Sequence, residues 1–130
     1  MKNIFLKISL FCFCISIFAC SDNTITEPEQ VVFPEKNVSY RSHVEPFIHL
    51  SCTFSGCHAS DAANYGSFSM DTYFDFYSRP GLIKKKDPDN SVLNMVVERK
   101  LPHYQQMTAG ITENHVKGLR QWVLEGGENN

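Results

Sequence analysis

The residues best suited to chemistry lie together near the middle of the chain: Cys52, Cys57 and His58. Two thiols five positions apart can form a disulfide in an oxidising compartment. The same three side chains could instead bind zinc, which takes about four ligands, with His103 or His43 as the fourth. Because a histidine directly follows the second cysteine, the thiols could also hold a prosthetic group whose metal is bound by the imidazole.

The rest of the sequence offers little support for other chemistry. It contains no nucleophile elbow, no glycine-rich phosphate loop and no convincing pair of acidic residues. Without Lys2 and Lys7, which belong to the N-terminal signal described next, ten Lys and Arg remain against fourteen Asp and Glu, a formal charge of −4. This mildly acidic balance argues against nucleic-acid binding, which favours a basic surface.

The N-terminus predicts export from the cytoplasm. An uncharged apolar run of eleven residues covers 8–18, which is too short for a stable transmembrane helix and suits a signal peptide. The run ends at Ala19-Cys20 and turns polar at Ser21. A small residue before this cysteine resembles the bacterial lipoprotein cleavage box, which implies cleavage before Cys20 and a lipid on its sulfur. An ordinary secretory signal with an incidental cysteine is the alternative.

The composition after the signal predicts one small domain on a tether. Residues 1–19 are the signal peptide, 20–38 the lipidated cysteine and a flexible tether, 39–127 the folded domain and 128–130 a tail. Within the domain, apolar residues recur at helical spacing in four segments, and no segment alternates with a period of two. The predicted class is therefore all-α. The four predicted helices are Ser42–Leu50, Met70–Tyr77, Ser91–Lys100, and a last one from Thr112 to before Gly126.

The order of short motifs along this domain resembles a small bacterial c-type cytochrome domain, class I-like, with a Cys-x4-Cys-His haem motif in place of the usual Cys-x2-Cys-His. The approach helix, the opening of the second helix, the turn before the third helix and the closing helix each have a counterpart. The approach helix is matched by Val44–Ile48, the opening of the second helix by Gly66–Tyr73 and the turn before the third helix by Asp87–Leu93. The closing helix is matched by Ile111–Glu113 and Leu119–Gly127. The resemblance implies a cytochrome c-like fold of about four helices around one covalently bound haem c.

The resemblance also implies a role for individual residues. Cys52 and Cys57 would form thioethers with the haem, and His58 would bind its iron. Met107 lies where the family has its second axial ligand, although Thr108 follows it where the family usually has proline. His103 is the alternative distal ligand, and an open distal face would indicate a sensor or a peroxidase-like site.

These implications together predict an electron carrier rather than an enzyme. The protein would be a monomer held on a bacterial membrane by its lipid, facing the periplasm or the cell surface, and would exchange electrons with redox partner proteins. The alternative is a lipoprotein domain without haem, either stapled by a Cys52–Cys57 disulfide or holding zinc.

Overall fold

A computed structural model of the chain describes residues 24–104 and 110–130. Its four main helices are α1, which begins as a π-helical turn at Tyr40–Val44 and continues as an α-helix over Glu45–Ser51, α2 (Tyr73–Ser78), α3 (Val92–Val97) and α4 (Glu113–Leu124). Short 3-10 turns cover Pro28–Gln30, Ala62–Tyr65 and Pro88–Asn90. No strand occurs in the described residues, and the all-α class is confirmed. None of the described helices is both long and apolar enough to cross a bilayer.

Polar caps explain where three of the helices begin. The Ser39 side chain accepts a hydrogen bond from the Ser42 N–H at 3.2 Å, so the first helix begins before its predicted start at Ser42. Thr72 and Asp75 form a reciprocal capping box, which places the start of α2 at Tyr73 rather than Met70. Thr112 accepts from the His115 N–H and caps α4, so this helix begins at Glu113, one residue after its predicted start.

The last helix, α4, lies at the centre of the core. Leu119, Trp122 and Val123 are almost completely buried, and each such side chain contributes about 1.5–3 kcal/mol relative to an exposed one. The Trp122 ring lies 5.9 Å from Tyr40 of α1 and 6.4 Å from Phe76 of α2, measured between ring centres. Trp122 therefore packs against both α1 and α2.

A segment before the first helix also belongs to the core. We call residues 31–38 the N-terminal strap, because they cross α4 in an irregular conformation with Val31, Phe33 and Val38 buried. The side-chain amide of Asn114 binds the backbone of Phe33 on both sides, accepting from its N–H at 2.8 Å and donating to its carbonyl at 3.0 Å. The predicted flexible tether over 20–38 therefore differs from the structure, where buried residues begin at Val31.

His115 joins the strap to α4 from inside the core. It is 1% exposed, although the sequence predicted a surface or capping residue. Its Nδ1 accepts from the Thr112 N–H at 3.0 Å, and its Nε2 donates to the Val31 carbonyl at 2.9 Å. Burial lowers the pKa of His115, and the hydrogen bond to Val31 only partly opposes this effect. A buried imidazole with one donor and one acceptor position used is neutral.

Candidate cofactor-binding site

The cysteine motif begins where α1 ends and closes on a tight turn. The Cys52 N–H donates to the Ile48 carbonyl at 2.8 Å, and the Cys57 N–H donates to the Phe54 carbonyl at 2.9 Å. Gly56, third in the turn Phe54–Cys57, has a φ of +79°, the backbone conformation that glycine adopts at this position of a type II turn. The four-residue spacing is thus accommodated by a hydrogen-bonded turn between the two cysteines.

Asp61 holds this turn from the following loop. Its carboxylate accepts from the Ser55 hydroxyl at 2.6 Å and from the Gly56 N–H at 3.4 Å. Two acceptor contacts on one side of the turn fix its orientation relative to the chain that follows His58. The loop between the cysteines is therefore braced from outside.

Both cysteines of the motif are free thiols in this structure. Burial raises the pKa of Cys52 to about 12, and the neighbouring Cys57 adds to the effect. Since the thiolate is the reactive form of cysteine, a thiol that stays neutral at physiological pH is a poor nucleophile. Cys52 is therefore unsuited to act as a thiolate nucleophile.

The His58 ring is oriented by the backbone ten residues further along. Its Nδ1 lies 2.8 Å from the Phe68 carbonyl oxygen. Because a carbonyl oxygen only accepts, Nδ1 carries the proton and Nε2 presents a lone pair. The His58 carbonyl in turn accepts from the Met70 N–H at 2.8 Å, so the residue is held at its ring and at its backbone. This is the arrangement in which a histidine binds a metal through Nε2.

Cys52 and His58 lie in the wall of an apolar cleft of about 250 Å³. Helix α3 supplies one side of it, and the chain before and after residues 105–109 supplies another. Apart from Ser51, Cys52 and the two histidines, every lining residue is apolar. The apolar lining residues are Phe68, Met70, Leu82, Val92, Leu93, Val96, Val97, Leu101, Pro102 and Ile111.

An ionic clamp holds the wall formed by α3 against α4. Arg120 donates to the Glu98 carboxylate at 2.6 Å and to Asp89 at 2.8 Å. Lys100 lies 2.5 Å from the other oxygen of Glu98. Although burial alone raises the pKa of Glu98, hydrogen bonds from Lys100 and Arg120 hold it below its usual value. The carboxylate therefore stays charged, and both ends of α3 are tied to the last helix.

His103, the alternative distal ligand, lines the same cleft as His58. The two rings are nearly parallel, with their centres 5.9 Å apart and their planes at 16°. Burial lowers the pKa of His103, and the neighbouring His58 adds to this effect. Met107 and Cys20 lie outside the residues that the structure describes, so their predicted roles stay predictions. The described residues on either side of Met107 include Pro102 and Ile111 of the cleft lining.

The residues around the cleft fit a haem better than they fit zinc. The cleft is apolar, the free nitrogen of His58 is beside it, and both thiols are near that histidine in the chain. The buried Ser51 hydroxyl, in the same wall, has no hydrogen-bond partner and could meet a polar group of a cofactor. Within residues 24–104 and 110–130, no three His, Cys, Asp or Glu side chains gather as a metal site.

His43, one of the two histidines considered for zinc, is engaged elsewhere. Its Nδ1 lies 3.1 Å from the Ser39 backbone nitrogen, and its ring centre lies 6.0 Å from that of Phe33. These contacts hold it at the start of α1, against the strap. It thus serves the packing of the helix start.

Sequence reasoning missed two contributors to the site. Phe68 acts through its main-chain carbonyl, which no side-chain pattern can indicate. Ser51 precedes the motif and had no distinguishing neighbour in the sequence. Both were found through the geometry around His58 and Cys52.

Comparison of this chain with family models, with curated proteins and with solved structures found no match.

Proposed function

We propose that this protein is a lipid-anchored monohaem c-type cytochrome that carries electrons between redox partner proteins outside the cytoplasm. The observation that best supports the proposal is the state of His58. Its Nδ1–H is bound to the Phe68 carbonyl, which leaves Nε2 available beside an apolar cleft that Cys52 also lines. A fixed imidazole, two nearby thiols and an apolar cleft are the parts that covalent haem attachment requires.

Each part of the site would contribute in a distinct way. Haem c, when bound, supplies an iron that takes up and releases one electron. Cys52 and Cys57 would hold the haem through two thioethers, each thiol adding its sulfur and its hydrogen across one vinyl group. The hydrogen bond from His58 to Phe68 raises the basicity of the ligating nitrogen. The apolar residues of α3 exclude water and thereby favour the less charged, reduced state.

The envelope location depends on the sequence of the N-terminus. The apolar run before Ala19-Cys20 supports export and lipidation of Cys20, after which residues up to the strap join the lipid to the folded part. In this proposal the partners are redox proteins and the membrane surface, the protein acts as a monomer, and it catalyses no reaction of its own.

Haem attachment is tested by producing the exported protein in a host that matures c-type cytochromes. Haem should stay with the chain on a denaturing gel, and the Cys52→Ser/Cys57→Ser double variant should lose it. Each single variant should keep haem through one thioether, with the α band of the reduced spectrum at longer wavelength. Haem-free protein from the competent host would reject the proposal.

The carrier role is separated from a sensor or peroxidase-like role by ligand binding. A carrier with both axial positions filled should titrate reversibly with one electron and should bind carbon monoxide weakly in the reduced state. Rapid and tight binding of carbon monoxide to the natively matured protein would contradict electron carriage and favour an open distal face.

A further inference from the structure

The two histidines of the cleft have a geometry that the rest of the site does not explain. His58 and His103 are 45 positions apart in the chain, yet their ring centres lie 5.9 Å apart and their planes differ by 16°. Both line the same apolar cleft. The distance between the two ring centres can be compared with the distance expected when two imidazoles bind one metal ion.

The spacing matches ligation of one metal ion from opposite sides. With metal–nitrogen distances of about 2.0–2.1 Å, and each ring centre roughly 1.1 Å beyond its nitrogen, the two ring centres are separated by roughly 6 Å. The observed 5.9 Å agrees with this value. Two imidazoles that bind one metal ion from opposite sides, through lone pairs in their ring planes, can have parallel planes, and the observed angle of 16° is compatible with this.

The other described histidines are committed to different partners. The His49 Nε2 lies 3.0 Å from the Asp71 carbonyl, both nitrogens of His115 are used inside the core, and His43 is held at the start of α1. His103 is the one that shares the cleft with His58.

We propose that His103 is the second protein ligand of the iron, opposite His58, and that Met107 does not ligate it. This inference rests on the proposed haem attachment and refines it. A site with two histidines has a lower reduction potential than one with histidine and methionine, because a methionine ligand raises the potential. The protein would accordingly be a low-potential carrier, suited to donors that are strong reductants.

The test uses the haem-loaded protein and three variants: His103→Ala, Met107→Ala and, as a matched control, His49→Ala. We expect the wild-type ferric spectrum to be low-spin and to lack the weak red-edge band of sulfur–iron ligation. Met107→Ala and His49→Ala should leave this spectrum unchanged. His103→Ala should convert the iron to a high-spin form, and added imidazole should restore the low-spin spectrum.

A second variant, His103→Met, gives an independent readout. It should introduce the sulfur–iron band and raise the reduction potential. A wild-type sulfur–iron band that disappears in Met107→Ala, or a His103→Ala spectrum identical to wild type, would overturn the assignment while leaving the cytochrome proposal intact. Protein that never acquires haem would reject the cytochrome proposal and this assignment with it.

Discussion

At the scale of single residues, a hydrogen bond and a backbone angle determine how the cysteine–histidine motif is presented. The bond from His58 Nδ1 to the Phe68 carbonyl selects the tautomer with a free Nε2. The φ of +79° at Gly56 lets the chain turn between the cysteines. Neither feature requires a cofactor, so the polypeptide alone prepares the site.

Gly56→Ala tests the turn. A left-handed backbone costs a residue with a Cβ about 1–2 kcal/mol, and no atom lies within 4 Å of the new methyl group, so the cost is purely conformational. Gly66→Ala is a matched control, because Gly66 has a φ of +74° and equally open surroundings outside the motif. Chemical denaturation should show a similar loss for both, whereas the haem content of matured protein should fall for Gly56→Ala alone. Equal haem content in the two variants would contradict the role given to the turn.

The sequence indicated the reactive residues of the site but not what orients them. Cys52, Cys57 and His58 are recognisable because their types and spacing are unusual, and Gly56 was predicted to allow the wider spacing. The Phe68 carbonyl could not be predicted, since any residue has one and its position depends on how the chain returns after His58. The pairing of His103 with His58 likewise depends on long-range folding.

At the scale of secondary-structure elements, the strap and α4 form a unit that the sequence did not predict. The four helices were predictable because their apolar residues recur with a helical period. The strap contains the apolar residues Val31, Val32, Phe33 and Val38 at irregular spacing among polar ones, a pattern that a flexible tether can also have. The strap lies in the core because it contacts α4, and these long-range contacts cannot be predicted from the local sequence.

Gly118→Ala tests the packing of the strap on α4. In an exposed helix this change stabilises by about 1 kcal/mol, but here the new Cβ would lie 2.2 Å from the Phe33 side chain. Overpacking of this kind costs about 1–3 kcal/mol, so we expect a lower free energy of unfolding in urea. Lys117→Ala, on the exposed side of the same helix, should be nearly neutral.

A double variant separates this clash from a general effect on the helix. In a Phe33→Gly background every Phe33 side-chain atom that would meet the new methyl group, including its Cβ, is gone, so the further change Gly118→Ala should cost little or nothing. An unchanged cost in that background would show that the strap does not pack on Gly118.

At the scale of the whole molecule, folding depends on a neutral His115 between α4 and the strap. The pKa of His115 is lowered by burial, so below the unfolded-state value of about 6.5 the unfolded chain binds a proton that the folded chain does not. The contribution of His115 to the free energy of unfolding should therefore be fully present above this pH. It should fall as the pH decreases, by at most about 1.4 kcal/mol per pH unit for one proton. Glu29 exerts an opposing electrostatic effect, which limits the fall.

Urea unfolding of wild type and His115→Gln between about pH 7.5 and 5.5 measures this contribution. The difference in free energy between the two proteins should shrink as the pH falls, because only in the wild type does the unfolded chain gain a proton at this position that the folded chain does not bind. His49→Gln, at an exposed position of α1, should keep the wild-type dependence. A pH-independent difference between wild type and His115→Gln would contradict the neutral, buried state of the ring.

The intact mass of the natively matured protein, measured after denaturation, tests the central claim most directly. Thiol addition to a vinyl group loses no atom, so the mass should equal that of the lipidated chain plus one whole haem, and the Cys52→Ser/Cys57→Ser variant should lack that increment. A colourless protein whose chain mass is lower by two hydrogens, or unchanged with two free thiols, would contradict the account.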